Sequence, residues 1–416
     1  MFRSLLLAGC ACLSVFRPAP AAAAVPELSL ADAVRLAADA SAAVAARESA
    51  VVAADADRGR AGALPDPMLA LGIDNLPVTG GQALDLGAED MTMQRIGLRQ
   101  EFLSAAKRAA RRAVAGRRVE EARAAATAER LAVQRAAALA WINAWSARRL
   151  HDALLAQREQ ARLAATLAKA RAAQGGPLAA ALAAQAAELQ LEDAVIQAIG
   201  DEDAARAMLA RWVPAAGTRP LVGAPDLSRL PVPAEQLRAL LDEIGPLLAS
   251  QARVETAAAE VDAARAEKRP DWSVMAAYGH RGQDRSDMVS IEVGVSLPLF
   301  SRNRQDLGIS ARQADYEQAL ALREDARRDA RGRLEAQLAR WQTLHRLMAV
   351  YEQQRLPLAR DRSATALAAY RAGGELEPWL QARADELDLE RMHADHLQSL
   401  AAAWAELAFL LPETSP

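Results

Sequence analysis

The sequence of 416 residues has almost no cysteine and few aromatic side chains. Its two cysteines, Cys10 and Cys12, lie within the first dozen residues, which excludes a disulfide scaffold, a zinc site of paired cysteines and a thiol nucleophile from the rest of the chain. Aromatic residues make up 4% of the chain and apolar residues 52%, so small aliphatic side chains, above all alanine, supply most of the apolar content. Such a composition favours long helices over a bulky globular core.

The sequence also lacks an excess of charge of one sign and any long apolar run beyond its N-terminus. It carries 50 Lys+Arg and 53 Asp+Glu, interspersed, for a net charge of −3, which is not the footprint of a nucleic-acid-binding protein. After residue 25 no stretch approaches the ~20 apolar residues of a membrane helix. Any membrane insertion is therefore predicted to use β-strands. No nucleophile–base pair, phosphate loop or zinc motif occurs, so we expect no catalysis and no cofactor.

Residues 1–24 have the pattern of a secretory signal peptide. Arg3 gives a positive start, an apolar segment follows, and Ala22 to Ala24 form a small-residue cleavage region. Cleavage there leaves a chain without cysteine, as suits an oxidising periplasm. The stretch from Leu7 to Cys10 also resembles a lipoprotein cleavage box, so lipidation of Cys10 stays open as an alternative.

The remainder of the chain is a tandem duplication of about 200 residues. Ile96-Gly97-Leu98 corresponds to Val293-Gly294-Val295, and the pair Gly175-Gly176 corresponds to Gly373-Gly374. Each copy is predicted to contain a helix, a β-hairpin and a long helical hairpin. The predicted segments are a first repeat at 25–213 (β-hairpin 66–102, helical hairpin 104–212), a Pro-rich linker at 214–233, a second repeat at 234–411 (β-hairpin 270–300, helical hairpin 302–411) and a tail at 412–416.

Two kinds of periodicity identify the elements of each copy. From Val289 to Leu297, apolar residues alternate with polar or small ones, and Trp272 to Tyr278 and Ile96 to Phe102 show the same period of two. Met68 to Asn75 shows it more weakly. By contrast, Ser104 to Ala173 contains no proline and at 1.5 Å per residue would span ~100 Å as a helix. The segment from Arg302 to Ala372 repeats this length, with Pro357 as an expected kink or break.

Four strands per chain pose a problem of closure. In lipid only a closed barrel satisfies every backbone group of a sheet, and about eight strands are the practical minimum for closure. The chain is therefore predicted to oligomerise, so that several copies share one barrel from which the long helices extend. Four amphipathic strands on a small soluble core are the alternative, but the flanking helices are far longer than such a sheet needs.

These features resemble the TolC-like outer-membrane efflux family over residues 27–411. The likeness is greatest to the heavy-metal branch, the CzcC- and CusC-like proteins that serve resistance-nodulation-division (RND) pumps. The stretches that carry it are Pro65-Asp66-Pro67-Met68, Asp74-Asn75-Leu76-Pro77, Met91 to Gly97, Met288-Val289-Ser290, Val295 to Leu299 and Asn303-Arg304-Gln305.

The resemblance implies a mainly helical fold with a small β part. Three chains would form a homotrimer with a 12-stranded barrel in the outer membrane, and their long helical hairpins would form an α-barrel in the periplasm. The expected function is a passive exit duct for heavy-metal cations. The expected partners are outer-membrane lipid, a periplasmic adaptor and an inner-membrane RND pump, with no nucleic acid.

The resemblance also assigns residues. The family docks its adaptor at helical tips that follow a Tyr-Arg-Xaa-Gly sequence, which is matched here at the second tip and more loosely at the first. The candidate docking residues are Arg171, Gly175, Gly176, Tyr370, Arg371, Gly373 and Gly374. The acidic gate residue that many members carry after the tip is missing from both Glu377 to Leu380 and Ala179 to Leu182, so the gate stays unassigned.

Further candidates come from residue type and spacing alone. Arg95, Arg99, Glu101 and Glu292 lie on the predicted channel face and are candidates for lining it, although a water-filled barrel needs polar residues there in any case. Met91 and Met93 share the face of Arg95 and can contact soft ions or simply fill space. His393 and His396 lie three residues apart on a helix, but without a third ligand they indicate an exposed face rather than a metal site.

Alternative functions stay open. Within the channel class, the duct could serve drug efflux or type I protein secretion instead of metal export. A periplasmic coiled-coil adaptor also has long helical hairpins, but it would need a lipoyl-like β domain and a single hairpin, which the duplication argues against.

Overall fold

The computed structural model describes residues 27–412, apart from residue 88, residues 215–218, residue 225 and residues 283–284. The predicted signal peptide with Cys10, part of the predicted linker and residues 413–416 of the predicted tail lie outside the described residues.

The first half of the chain contains two short helices, two strands and one long helical hairpin. In chain order these elements are α1 (Leu30–Ala40), α2 (Ala42–Arg60), β1 (Met68–Asp74), β2 (Met93–Phe102), α3 (Ala105–Ala173) and α4 (Leu178–Trp212).

The second half repeats this order with an additional break in its long helix. Its elements are α5 (Ala234–Ala239), α6 (Gly245–Ala266), β3 (Trp272–His280), β4 (Met288–Val295), α7 (Gln305–Val350), α8 (Leu356–Arg371) and α9 (Glu377–Ala408). A π-helical turn, Tyr351–Arg355, joins α7 to α8. Pro357 is the second residue after this turn. Because proline lacks an N–H and its ring crowds the preceding turn, regular α geometry is interrupted near the expected position.

The four strands form one antiparallel sheet in the order β1-β2-β3-β4. The central pair joins the two halves of the chain, with Gly97 opposite Ala277 and Phe102 opposite Trp272. A Cβ on Gly97 would lie 3.0 Å from the Cβ of Ala277, so a larger residue at 97 would crowd this central pair. The four strands and the long hairpins agree with the predicted fold class.

Buried polar contacts hold the sheet against the helices. Lys107, in the first turn of α3, places its Nζ 2.6 Å from Oδ2 of Asp271, the residue before β3. The other oxygen of Asp271 accepts the backbone N–H of Ser104 at 2.8 Å. Ser104 in turn caps α3 by accepting the N–H of Lys107. The start of α3 and the start of β3 are thereby connected across the two halves.

The main core lies around the middle of the helices and contains buried residues of both halves, among them Trp141 and Trp404. Trp141 is fully buried and donates its indole N–H to the carbonyl of Leu28 at 3.0 Å. Trp341 donates to Leu227 and Trp404 donates to Arg229, so two helices of the second half hold the segment before α5. These indole N–H groups thereby find hydrogen-bond partners inside the protein.

None of the helices in the described part of the chain combines the length and the apolar character that crossing a membrane requires.

Candidate functional site

One face of the sheet is apolar and exposed over all four strands, and we call it the apolar face. In an antiparallel sheet, directly opposed residues share a face. Leu71 is 72% exposed, Val289 73% and Ile291 74%, although all three are large and apolar. The members of this face are Leu69, Leu71, Ile73, Ile96, Leu98, Phe102, Trp272, Val274, Ala276, Tyr278, Val289, Ile291, Val293 and Val295. Its polar residues, Gln94, Gln100 and His280, lie near strand ends.

The opposite face, called the polar face, carries charged residues, small residues and methionines. Arg99 and Glu292 both lie opposite Met275, one on each side, and Arg99 Nη2 is 3.4 Å from Glu292 Oε1. Arg95 lies in the same face and pairs with Asp74 at 3.2 Å. The structure therefore brings two of the four candidate lining residues, Arg99 and Glu292, into contact.

The other candidates on this face are placed as follows. Glu101 lies opposite Ser273, close to the end of β2 that leads into α3. Met93 lies at the start of β2, opposite Asp74, and Met91 precedes the strand. Asp74, the partner of Arg95, was not among the predicted lining residues, although its place in a weakly alternating strand was a usable signal.

Each helical tip is built on two adjacent glycines with different tasks. Gly175 has a φ of +91° and Gly373 a φ of +106°, a left-handed conformation in which other residues are strained. The second glycine of each pair sits against the preceding helix: a Cβ on Gly176 would lie 2.9 Å from the carbonyl oxygen of Arg171, and one on Gly374 would lie 2.9 Å from that of Ala369. The N–H groups of Gly176 and Gly374 donate to those same carbonyls.

The two tips contact each other within one chain through Arg171 and Tyr370. The guanidinium of Arg171 lies over the Tyr370 ring, 4.2 Å from its centroid, and Nη2 is 2.6 Å from the Tyr370 carbonyl oxygen. Tyr370 is buried in a cluster with Leu376 and Trp379, packed on alanines of α3 and α4. Arg171 and Tyr370 thus have an internal role that the family motif alone does not indicate.

Arg371 differs from these two residues because it is exposed. By position in the turn, Arg171 corresponds to Ala369 and not to Arg371, since Gly176 and Gly374 meet these carbonyls in equivalent ways. Among the candidate docking residues, Arg371 and the exposed Gly175, Gly373 and Gly374 remain available at the surface.

The His393–His396 pair packs on an aromatic ring. The Tyr351 ring lies 6.5 Å from the His393 ring and 5.1 Å from the His396 ring, and His393 Nε2 is 3.3 Å from Glu352 Oε1. In the described part of the chain, no group of three or more His, Cys, Asp or Glu side chains is arranged to hold a metal ion.

Two buried acidic clusters lie between the long helices. Burial by itself would raise the pKa of Glu202, but hydrogen bonds from His151 and Arg206 hold that pKa below its ordinary value. Burial between α3, α8 and α9 raises the pKa of Glu390. Sequence reasoning did not find either cluster, because their members come from distant parts of the chain.

Known proteins share this architecture. Residues 238–412 match the family described as Outer membrane efflux protein. No significant match was found among curated proteins. Among solved structures, the chain is similar to a membrane protein from Pseudomonas aeruginosa, with 18% identity over 91% of both chains and a TM-score of 0.76. It is also similar to the CmeC outer membrane channel of Campylobacter jejuni, with 14% identity, 91% of this chain and 84% of that chain covered, and a TM-score of 0.75.

A third similar structure is CusC, with 14% identity, 95% of this chain and 94% of that chain covered, and a TM-score of 0.76. At these identities the structural likeness concerns the fold, and it confirms the predicted TolC-like class. The second half of the chain thus matches the outer membrane efflux protein family, and the chain as a whole has the fold of solved outer-membrane channels.

Proposed function

We propose that this chain is the outer-membrane channel of a tripartite efflux system, a passive conduit that meets a periplasmic adaptor and an inner-membrane RND pump. The observation that carries this proposal is the sheet, whose apolar face is exposed over four strands while its opposite face carries charged residues, small residues and methionines. Contiguous apolar surface of this kind is unfavourable in water and matches the hydrocarbon core of a bilayer.

The free edges of the sheet support a homotrimer. β1 and β4 each pair on one side only among the described residues, which leaves two rows of backbone groups without strand partners. Lipid offers no hydrogen bonds, so these edges must be paired with those of other chains. Three copies of four strands give a closed barrel of 12 strands, wide enough for a water-filled lumen lined by the polar face.

Native mass spectrometry of the full chain in detergent tests the assembly. A trimer with its strand content intact is expected, and reconstitution of that trimer into planar bilayers should give ion conductance. A stable monomer with the same strand content would contradict the proposed shared barrel. Fractionation should place the protein with the outer membrane, and recovery with the cytosol would contradict the localisation.

The helical tips are proposed to contact the adaptor. They lie at the far ends of α3, α4, α8 and α9 from the sheet, so they have no role in contacting lipid. They expose Arg371 and the two glycines Gly175 and Gly373. Because these glycines have no side chain, a partner helix can approach the backbone closely there. The buried contact between Arg171 and Tyr370 would hold the two tips of one chain as a single surface.

Heavy-metal cations are the proposed cargo, on the strength of the sequence likeness to the metal branch. Deletion of the gene should lower tolerance to soft or divalent metal ions while leaving tolerance to dyes and antibiotics unchanged. The opposite pattern would favour a drug-efflux duct and would leave the proposed channel architecture intact.

A further inference from the structure

Methionines are concentrated on the polar face of the sheet. The chain has nine methionines, and four of them lie on this face, at Met68, Met93, Met275 and Met288. A thioether is an unusual choice among charged and small residues, because methionine ordinarily fills gaps in apolar cores. Two of the four, Met93 and Met288, are both neighbours of Gly279.

Gly279 brings these two side chains together. It lies directly opposite Met288 in the β3–β4 pair. Met93 reaches over the same glycine from β2, since a Cβ on Gly279 would lie 2.6 Å from the sulfur of Met93. Opposed residues in a sheet have Cβ positions about 5 Å apart. Gly279 itself adds no side chain between the sulfur of Met93 and the Met288 side chain, which is 39% exposed. Arg95 lies opposite Gly279 on the other side and is paired with Asp74.

The chemistry of this spot favours a soft monovalent cation. Thioethers are neutral, polarisable ligands that select Cu(I) and similar ions over hard or borderline divalent ions. The nearest carboxylate on the polar face, Asp74, is held by Arg95 at 3.2 Å. A site of two thioethers is therefore matched to Cu(I) or Ag(I), and poorly matched to Zn²⁺ or Mg²⁺.

We propose that Met93 and Met288 form a thioether site for Cu(I) or Ag(I) over Gly279, at the end of the polar face next to the loops that join β1 to β2 and β3 to β4. The inference rests on the proposed function, because the polar face is useful to a passing ion only if it lines the channel. Two thioethers bind more weakly than a closed structural site, as a conduit requires if the ion is to leave again.

Ag(I) titration of the assembled full chain in detergent tests the site, with the methionine methyl groups labelled with ¹³C. The methyl signals of Met93 and Met288 should shift together on Ag(I) addition, and Zn²⁺ should shift neither. Met93→Leu and Met288→Leu conserve side-chain volume. Each should weaken Ag(I) binding, measured by calorimetry, by about tenfold or more, since loss of even a residue that only supports a metal ligand costs roughly tenfold in affinity. Met208→Leu, on an exposed part of α4, is the matched control and should bind as the wild type does.

The proposal is overturned if Ag(I) shifts neither methyl in the wild type, or if the Met93→Leu/Met288→Leu double variant binds Ag(I) as tightly as the wild type. These results do not depend on the physiological cargo. If the gene deletion leaves metal tolerance unchanged while the purified chain shows the two methyl shifts, the cargo assignment fails and the thioether site stands. If deletion lowers metal tolerance and the methyl signals stay in place, the site fails and the cargo assignment stands.

Discussion

At each helical tip, some residues are needed for the turn itself and others can be substituted without disturbing it. The glycine pairs were predictable from the sequence, because a helix that ends in a tight reversal commonly needs a residue with positive φ. The tasks of the two glycines were not, since the close approach of Gly374 to Ala369 depends on the path of the backbone. Substitution of either glycine by valine would strain the turn itself, so neither variant isolates docking. Arg371 is the better probe.

We expect Arg371→Glu to lose adaptor binding while trimer assembly and outer-membrane abundance stay normal. Arg371 is exposed, so replacing it with glutamate leaves the packing of the tip in place. The substitution reverses the charge that the adaptor meets at this surface, and an unfavourable charge across an interface weakens binding. Crosslinking to the adaptor should fall by about tenfold or more. Arg340→Glu, an exposed reversal on α7, should leave crosslinking unchanged. Crosslinking of Arg371→Glu at the wild-type level would show that Arg371 does not take part in docking.

We expect Arg171→Ala to loosen both tips together. The substitution removes the ring contact with Tyr370 and the hydrogen bond to its carbonyl, which together stabilise the local structure by about 1–2 kcal/mol. Amide hydrogen exchange should accelerate around both Gly175 and Gly373. Arg171→Lys keeps the charge but not the planar group, so it should give an intermediate rate. Acceleration at the first tip alone would show that the contact does not couple the tips.

At the scale of elements, the sequence predicted the strands and helices, which have local periodic patterns. It did not predict the contacts between residues that are far apart in the chain. Period-two alternation pointed to β2, β3 and β4, and the absence of proline pointed to a helix from Ser104 to Ala173, where the structure has α3 with Ser104 as its cap. The contact of Lys107 with Asp271, 164 residues apart, is set by how the two halves pack and leaves no local pattern. The same holds for the buried group around Glu390.

Glu390 is expected to make packing of the long helices dependent on pH. Its side chain is 11% exposed and contacts Gln157 of α3, while Arg360 of α8 lies 3.4 Å away. Burial raises its pKa, and the carboxylate of Glu386 adds to the rise, against Arg360 and Arg383. The folded chain therefore binds this proton more readily than the unfolded chain does. Its contribution to stability is present at low pH and is lost as the pH rises past the raised pKa.

Glu390→Gln should accordingly raise the thermal midpoint at about pH 7.5 and reduce the difference between about pH 7.5 and about pH 5. The amide also offers a donor to Gln157 Oε1, a buried atom that has no hydrogen-bond partner in the structure. Melting curves followed by circular dichroism at the two pH values measure the effect. Glu48→Gln, at an exposed position of α2, is the control. A midpoint for Glu390→Gln below that of the wild type at neutral pH would contradict the assignment.

At the scale of the whole molecule, one chain is incomplete in two respects that a membrane-embedded trimer would resolve. Its sheet has two free edges, and its apolar face is exposed. The closure problem was visible from the sequence, since four amphipathic strands cannot form a barrel alone. Which residues share each face became certain only with the strand register, which places Arg99, Met275 and Glu292 in one row.

Spin labels placed one at a time along β4 measure whether the sheet lies in lipid as proposed. Cys10 and Cys12 are first replaced by alanine. Six variants then carry one cysteine each, at successive positions from Val289 to Gly294, and each is labelled and reconstituted separately. Labels at Val289, Ile291 and Val293 should be reached by oxygen, which concentrates in lipid, while labels at Ser290, Glu292 and Gly294 should be reached by a water-soluble nickel complex. Access of the nickel complex to all six positions, without alternation, would contradict a lipid-facing apolar face and with it the channel.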